Sequence, residues 1–109
     1  MATIELNIYK KENKKEIEKT YRVEGYDLMM GTVEDLMDII DLEKIHDDQE
    51  VAKMIMKAYA QVKPLLHDIF PELTEEEIRR IKVPELVPVF MQIGKAALES
   101  MQVFTKTKN

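Results

Sequence analysis

Val51-Ala52-Lys53-Met54-Ile55-Met56-Lys57-Ala58-Tyr59-Ala60-Gln61-Val62-Lys63-Pro64-Leu65-Leu66-His67-Asp68-Ile69-Phe70 is the stretch on which the fold of this chain turns. Val51, Ile55, Ala58, Val62, Leu65 and Ile69 recur at alternating steps of four and three and draw one straight apolar stripe along a helix. Ala52, Met56, Tyr59, Leu66 and Phe70 draw a second stripe beside it, interrupted by Lys63. A helix that covers one face of its own domain needs a single stripe about 100° wide, and this one offers more. The surplus must meet other helices of the chain or something outside it. Pro64 removes a backbone donor and crowds the preceding turn, which predicts a kink or break near Lys63.

Working toward the C-terminus, Phe70-Pro71-Glu72-Leu73 ends this helix. Thr74-Glu75-Glu76-Glu77 then spells a capping box, in which the Thr74 hydroxyl serves the Glu77 amide and the Glu77 carboxylate reaches back. A short helix to about Ile81 is expected. Pro84 suits the first turn of a final helix, where its missing N–H costs nothing, and Pro88 is either a second restart or a bend. Leu86, Phe90, Ile93, Ala97, Met101 and Phe104 form its stripe, with Val87, Met91, Gly94 and Leu98 alongside. Gly94, Ala96 and Ala97 leave room for close approach of another helix.

Working toward the N-terminus, His46-Asp47-Asp48 marks a turn, with Asp47 or Asp48 capping the long helix. Thr32 reads as the N-cap of an earlier helix to about Ile45 that buries Val33, Leu36, Met37 and Ile40. Residues 25–31 form a connector. Ile4, Leu6 and Ile8 alternate as in a half-buried strand, and Ile17, Tyr21 and Val23 do the same, with Lys19 the odd member. The polar run between them contains Asn13 and joins the two as a β-hairpin. A lone hairpin is marginal in water, so its apolar face must lie on the helices.

These signals predict an α+β, helix-dominant fold: an N-terminal β-hairpin (residues 1–24) packed on a bundle of three to four helices. The helical body occupies 32–104 and a frayed tail 105–109, within one domain, 1–109. An all-α fold is the alternative if the first 24 residues do not form strands.

With 45% apolar and 34% charged residues in 109, the composition is that of a globular domain. No apolar run approaches the roughly 20 residues that span a bilayer, and the first residues lack a secretory apolar core. The net charge of −5 divides into +1 over residues 1–24, −8 over 25–80 and +2 over 81–109. An acidic middle repels phosphates, which argues against nucleic acid on the helical body. The hairpin lysines alternate with glutamates and read as a solvated surface.

Chemistry is sparse. Absence of cysteine removes thiolate catalysis and cysteine-bound zinc. Ser100 is the lone serine and sits in a helical pattern, and three scattered glycines make no phosphate loop. His46, Asp47, Asp48 and Glu50 come nearest to a metal cluster but read as a capped interhelical turn. His67 and Asp68 lie near a helix end, where a histidine serves the last carbonyls. The final helix opens on Glu85-Leu86-Val87 and lacks the basic or amide residues of a major-groove reader. The expectation is a non-enzymatic protein without metal or cofactor.

The stretch Leu65-Leu66-His67-Asp68-Ile69-Phe70-Pro71-Glu72-Leu73-Thr74-Glu75-Glu76-Glu77-Ile78-Arg79-Arg80, continuing through Ile81-Lys82-Val83-Pro84-Glu85-Leu86-Val87-Pro88-Val89-Phe90, resembles the tail assembly chaperones of long-tailed bacteriophages and prophages. The resemblance spans residues 32–100 and lies in helix punctuation. It implies a protein that coats and solubilises the tape measure protein in the host cytoplasm, helps recruit major tail protein, and is absent from the mature virion. It further implies a frameshifted longer form that contacts the major tail protein, and self-association in multiple copies is the accompanying expectation.

The residues fit such a role, because a tape measure protein exposes long apolar helical stripes that another helix can cover. Methionines accept partners of more than one shape, and eight are present. Met29, Met30, Met54 and Met91, apolar but off the main stripes, are the candidate partner contacts. A small structural subunit of the tail or connector and an acidic regulatory binding module are the rival readings.

Overall fold

The computed structural model describes the backbone of residues 3–107 and the side chains of residues 3–100. Ile4, Leu6 and Ile8 are fully buried, so the alternation of the first residues becomes strand β1 (Thr3–Tyr9). It pairs antiparallel with β2 (Ile17–Glu24), setting Leu6 opposite Tyr21, Ile4 opposite Val23 and Ile8 opposite Lys19. The turn closes around Asn13, whose carbonyl accepts from the Glu16 N–H and whose side chain accepts from the Lys15 N–H. A bulge at Ile8/Tyr9 places Ile17 opposite Tyr9. Ile17 therefore leaves the inward set it was expected to join and stands 49% exposed.

The helices are α1 (Met30–Ile39), α2 (Asp48–Lys57), α3 (Tyr59–Ile69), α4 (Glu75–Ile78) and α5 (Val83–Thr107). The architecture is α+β and helix-dominant, with the two-stranded hairpin at its N-terminus. One buried cluster links β1 to all the longer helices. α5 lies along β1: the Gln92 side chain accepts from the Glu5 N–H, and Glu85, seven residues earlier on the same face, accepts from Asn7 and from the Tyr9 hydroxyl. One edge of the hairpin is thereby covered by side chains rather than by a third strand.

Several boundaries differ from those read in the sequence. α1 begins two residues before Thr32, which lies buried inside it, and Met29 at the N-cap makes no side-chain cap bond. A 3-10 turn at Gly25–Asp27, packed on α5, delivers the chain into α1 early. Burial of Thr32 and Val33 outweighs a cap worth about 1 kcal/mol. α1 also stops at Ile39 rather than near Ile45. Ile45 follows Leu36 by nine residues, about two and a half helical turns, so an unbroken helix would carry it to the opposite face. The break at Ile40 and a 3-10 turn at Leu42–Lys44, capped by Asp41, bring Ile45 inward instead.

Ile45 ends against Gly94 of α5, the place where the sequence left room for a neighbour. A Cβ built on Gly94 would lie 2.4 Å from Ile45 Cδ1, and Ile45, Ala96 and Ala97 are all fully buried. The neighbour is a single side chain arriving from a turn, not a helix.

Asp47 caps α2 by accepting from the Gln49 and Glu50 N–H groups. The expected break falls at Ala58, not near Lys63. It separates two packing tasks, since α2 lies on α5 whereas α3 lies on α1. Pro64 and Pro88 both fall in the second turn of a helix and are both exposed. Each removes one bond near the helix start without ending the helix. α5 therefore runs through Pro88 and on to Thr107, beyond the expected end of the helical body, while residues 108 and 109 lie outside the described residues.

The capping box of α4 forms as read. The Thr74 hydroxyl accepts from the Glu77 N–H, and Glu77 Oε1 accepts from the Thr74 N–H at 3.0 Å. Glu77 is also buried, and its carboxylate accepts from the Tyr21 hydroxyl at 2.6 Å and pairs with Lys19 Nζ at 3.0 Å. Lys19, the odd member on the inward side of β2, thus finds its counter-charge in α4. Burial alone would raise the Glu77 pKa, but the bonds from Tyr21, Thr74 and Lys19 prevail and lower it from 4.5 to about 2.

Gly94→Ala should destabilise the fold by about 1–3 kcal/mol in urea denaturation, because overpacking exceeds a helix-propensity gain of about 1 kcal/mol. Combined with Ile45→Ala, it should cost clearly less than the two single changes together, and simple additivity would refute the contact. Glu77 stabilises the fold fully above its unfolded pKa near 4.5, and that contribution is lost as pH falls toward 2. Glu77→Gln should cost roughly 2–3 kcal/mol at neutral pH. Wild-type and variant stabilities, followed by circular dichroism, should converge as the pH approaches 2.

Candidate partner-binding surface

The surplus apolar stripe divides at the Ala58 break. Leu66 and Phe70, on α3 and its C-cap, are buried, and Phe70 stacks obliquely on Tyr21 with ring centres 6.1 Å apart. Met56 and Tyr59, on either side of the break, point outward at 73% and 66% exposure. On α1, Met30 and Met37 are seven residues apart and so share a face, and both are exposed. Tyr26 and Met29 are open to solvent just before that helix.

The outer face of α2 is flanked by two open hollows that meet at Ala52. One, about 640 Å³, lies toward α5 and includes Val87, Pro88 and Met91. The other, about 710 Å³, includes Met54, Met56 and the stems of Lys53 and Lys57. Lysine stems can cover apolar surface while their ammonium groups remain in water.

The four candidate methionines therefore separate. Met54 and Met91 are half-buried, packed on the core, and line hollows on opposite sides of Ala52. The Asp41 N–H also points at Met54 Sδ, 3.2 Å away. Met29 and Met30 are mostly exposed and line neither hollow. Met37, assigned to the core on sequence, faces solvent at 54% exposure, because α1 turns Thr32, Val33, Leu36 and Ile39 inward and leaves Met37 on the outer side with Met30. Met56 and Tyr59 were visible in the sequence as part of the second stripe. What the sequence did not contain was which half of that stripe α1 would cover.

The polar candidates take structural places. Asp47 serves as a cap, and His67 contacts the Glu75 carboxylate at 3.3 Å, next to the Lys63–Glu75 ion pair. The Lys63 bond, then that of His67, lowers the Glu75 pKa. Among the described residues, no group of three His, Asp or Glu side chains converges as a metal site. Among them also, no helix is long and apolar enough to cross a membrane. Compared with known proteins, the chain matches no protein-family model, no curated protein and no solved structure.

The exposure differences separate surface methionines from structural ones. Met29→Gln with Met30→Gln, which adds no capping hydroxyl at the start of α1, should leave the melting temperature nearly unchanged. Met54→Ser or Met91→Ser should each cost about 1–3 kcal/mol by the loss of packed apolar area. Equal effects from the two pairs would contradict this division.

Proposed function

We propose that this chain is a non-enzymatic tail assembly chaperone of a long-tailed bacteriophage or prophage. On this reading it binds the tape measure protein, keeps it soluble and helps recruit major tail protein, then departs before the virion is complete. The observation that carries the reading is solvent-exposed apolar surface on helical elements: Met30 and Met37 along α1, Met56 and Tyr59 around the α2–α3 break. A client with an apolar helical stripe can lie against such surfaces. Methionine dominates them, and its flexible thioether adapts to successive segments of a long client. With no tryptophan in the chain and few large aromatic anchors, affinity per copy is modest and many copies share the client.

Each of these methionines, partly buried by the client, would contribute on the order of 1–2 kcal/mol, compatible with later release. An acidic module that clamps a basic site would instead bind one-to-one and weaken steeply with salt.

The test is co-expression with a helical fragment of the tape measure protein from the same genome. Wild-type chain should hold that fragment in the soluble fraction through moderate salt. A Met30→Ser, Met37→Ser, Met56→Ser, Tyr59→Ser variant should lose this ability while its circular dichroism stays that of the wild type. Retention of the chain in purified virions at stoichiometric amounts would overturn the chaperone reading and favour a structural tail subunit.

A further inference from the structure

Where the end of β1 meets the turn between α4 and α5, the fold gathers positive charge that the sequence keeps apart. The Arg80 guanidinium donates to the Tyr9 carbonyl at 3.0 Å and the Tyr9 N–H donates to the Arg80 carbonyl, pinning the end of β1 beside the turn between α4 and α5. A hollow of about 280 Å³ results, and its lining includes six cations: Lys10, Lys11 and Lys14 of the hairpin, and Arg79, Arg80 and Lys82 of the turn.

Neutralisation within this hollow is partial. Lys10 pairs with Glu16 at 2.8 Å, and Arg80 pairs with Glu18 and Glu76. Lys82 Nζ lies 4.2 Å from the centre of the Tyr9 ring, which tolerates a cation without cancelling it. Lys11, Lys14 and Arg79 have no ion pair among the described residues, and all three are exposed. A chain of net charge −5 here holds a concave site of the opposite sign. Such a concentration raises the local density of anions and steers them in.

We propose that this hollow docks a short acidic segment of the chain's protein partner, whose carboxylates meet Lys11, Lys14 and Arg79. The fork of Arg79 suits a carboxylate held bidentately. A long polyanion fits less well, because its flanks would run over the helical body, which carries −8 between residues 25 and 80. A brief acidic stretch set in an otherwise apolar or neutral polypeptide meets no such repulsion.

The neighbourhood adds a second property to the partner. In the sequence, only Val83, 73% exposed, separates Lys82 of the basic hollow from Pro84 of the largely apolar hollow between α5 and α2. The partner segment is therefore acidic where it reaches residues 79–82 and apolar where it continues onto α5 and α2. The apolar half of this statement rests on the chaperone reading, and the acidic half stands on the charge geometry.

Fluorescence anisotropy with a labelled hexaglutamate peptide tests the acidic half directly. Wild-type chain should bind it at low salt, and less well at about 0.15 M salt. Lys11→Ala, Lys14→Ala, Arg79→Ala in one variant should weaken binding roughly tenfold, with unchanged circular dichroism. The serine variant at Met30, Met37, Met56 and Tyr59 should bind hexaglutamate as wild type does, so failure of the two readings is distinguishable. Absent binding, or binding indifferent to the triple alanine change, would overturn the proposal. Tighter binding of an oligothymidylate of matched charge would overturn it in favour of a nucleic-acid site.

Discussion

Glu77 accepts hydrogen bonds from two elements that are far apart in sequence, and the relation of hairpin to helical body depends on that. Its carboxylate accepts from the Thr74 N–H in the capping box of α4, which holds it in place within its own element. Tyr21 and Lys19 of β2 then dock on the same two oxygens. A buried carboxylate without these donors would be costly, whereas Lys19 is exposed and keeps contact with water while it neutralises Glu77. Because the hydrogen bonds are directional, they also set which way β2 faces over Phe70 and Leu73. A purely apolar contact would fix that orientation less sharply.

The elements legible in sequence are those whose causes are local. Alternation in Ile4, Leu6 and Ile8 needs only the period of a strand, and Thr74 with Glu77 needs only one helical turn. Both formed as read. Elements decided at a distance were placed wrongly or not at all. Thr32 is a good cap by chemistry, yet the turn at Gly25–Asp27 against α5 starts the helix before it. Ile45 looks like the last residue of a helix until Gly94 supplies a seat that only a break can reach. Ile17 alternates correctly with Tyr21, and one bulge reverses its side. Lys19 read as an exception to its strand, and Glu77 lay almost 60 residues away with an adequate local role of its own.

The same logic explains why half of the surplus stripe is open. Had α2 and α3 formed one straight helix, both stripes would have followed a common axis, and a single neighbour could have covered either. The break at Ala58 sends α2 to α5 and α3 to α1. Leu66 and Phe70 are enclosed by the second arrangement, and Met56 and Tyr59 are left on the outside of the elbow. Their exposure is thus a consequence of how the core closes, not of a loose terminus or an unfinished helix. Prolines do not make this break, since Pro64 sits comfortably inside α3. The need to satisfy two packing partners does.

The cationic hollow and the exposed methionines of α1 and α2 occupy different parts of the surface, and this bears on how a partner could be held and let go. Apolar contacts through methionine are weakly directional, so by themselves they would let a helical client slide along α1 or α2. A cationic hollow beside the start of α5 acts over a longer range and on a different chemistry, and so could fix the register of a client that the apolar faces merely retain. Salt weakens the one interaction and scarcely affects the other. A partner held by both would be bound in a defined position, yet could lose that position without losing contact. On the chaperone reading we propose, that separation of retention from register would let the chain hold a long polypeptide and yield it stepwise to other subunits.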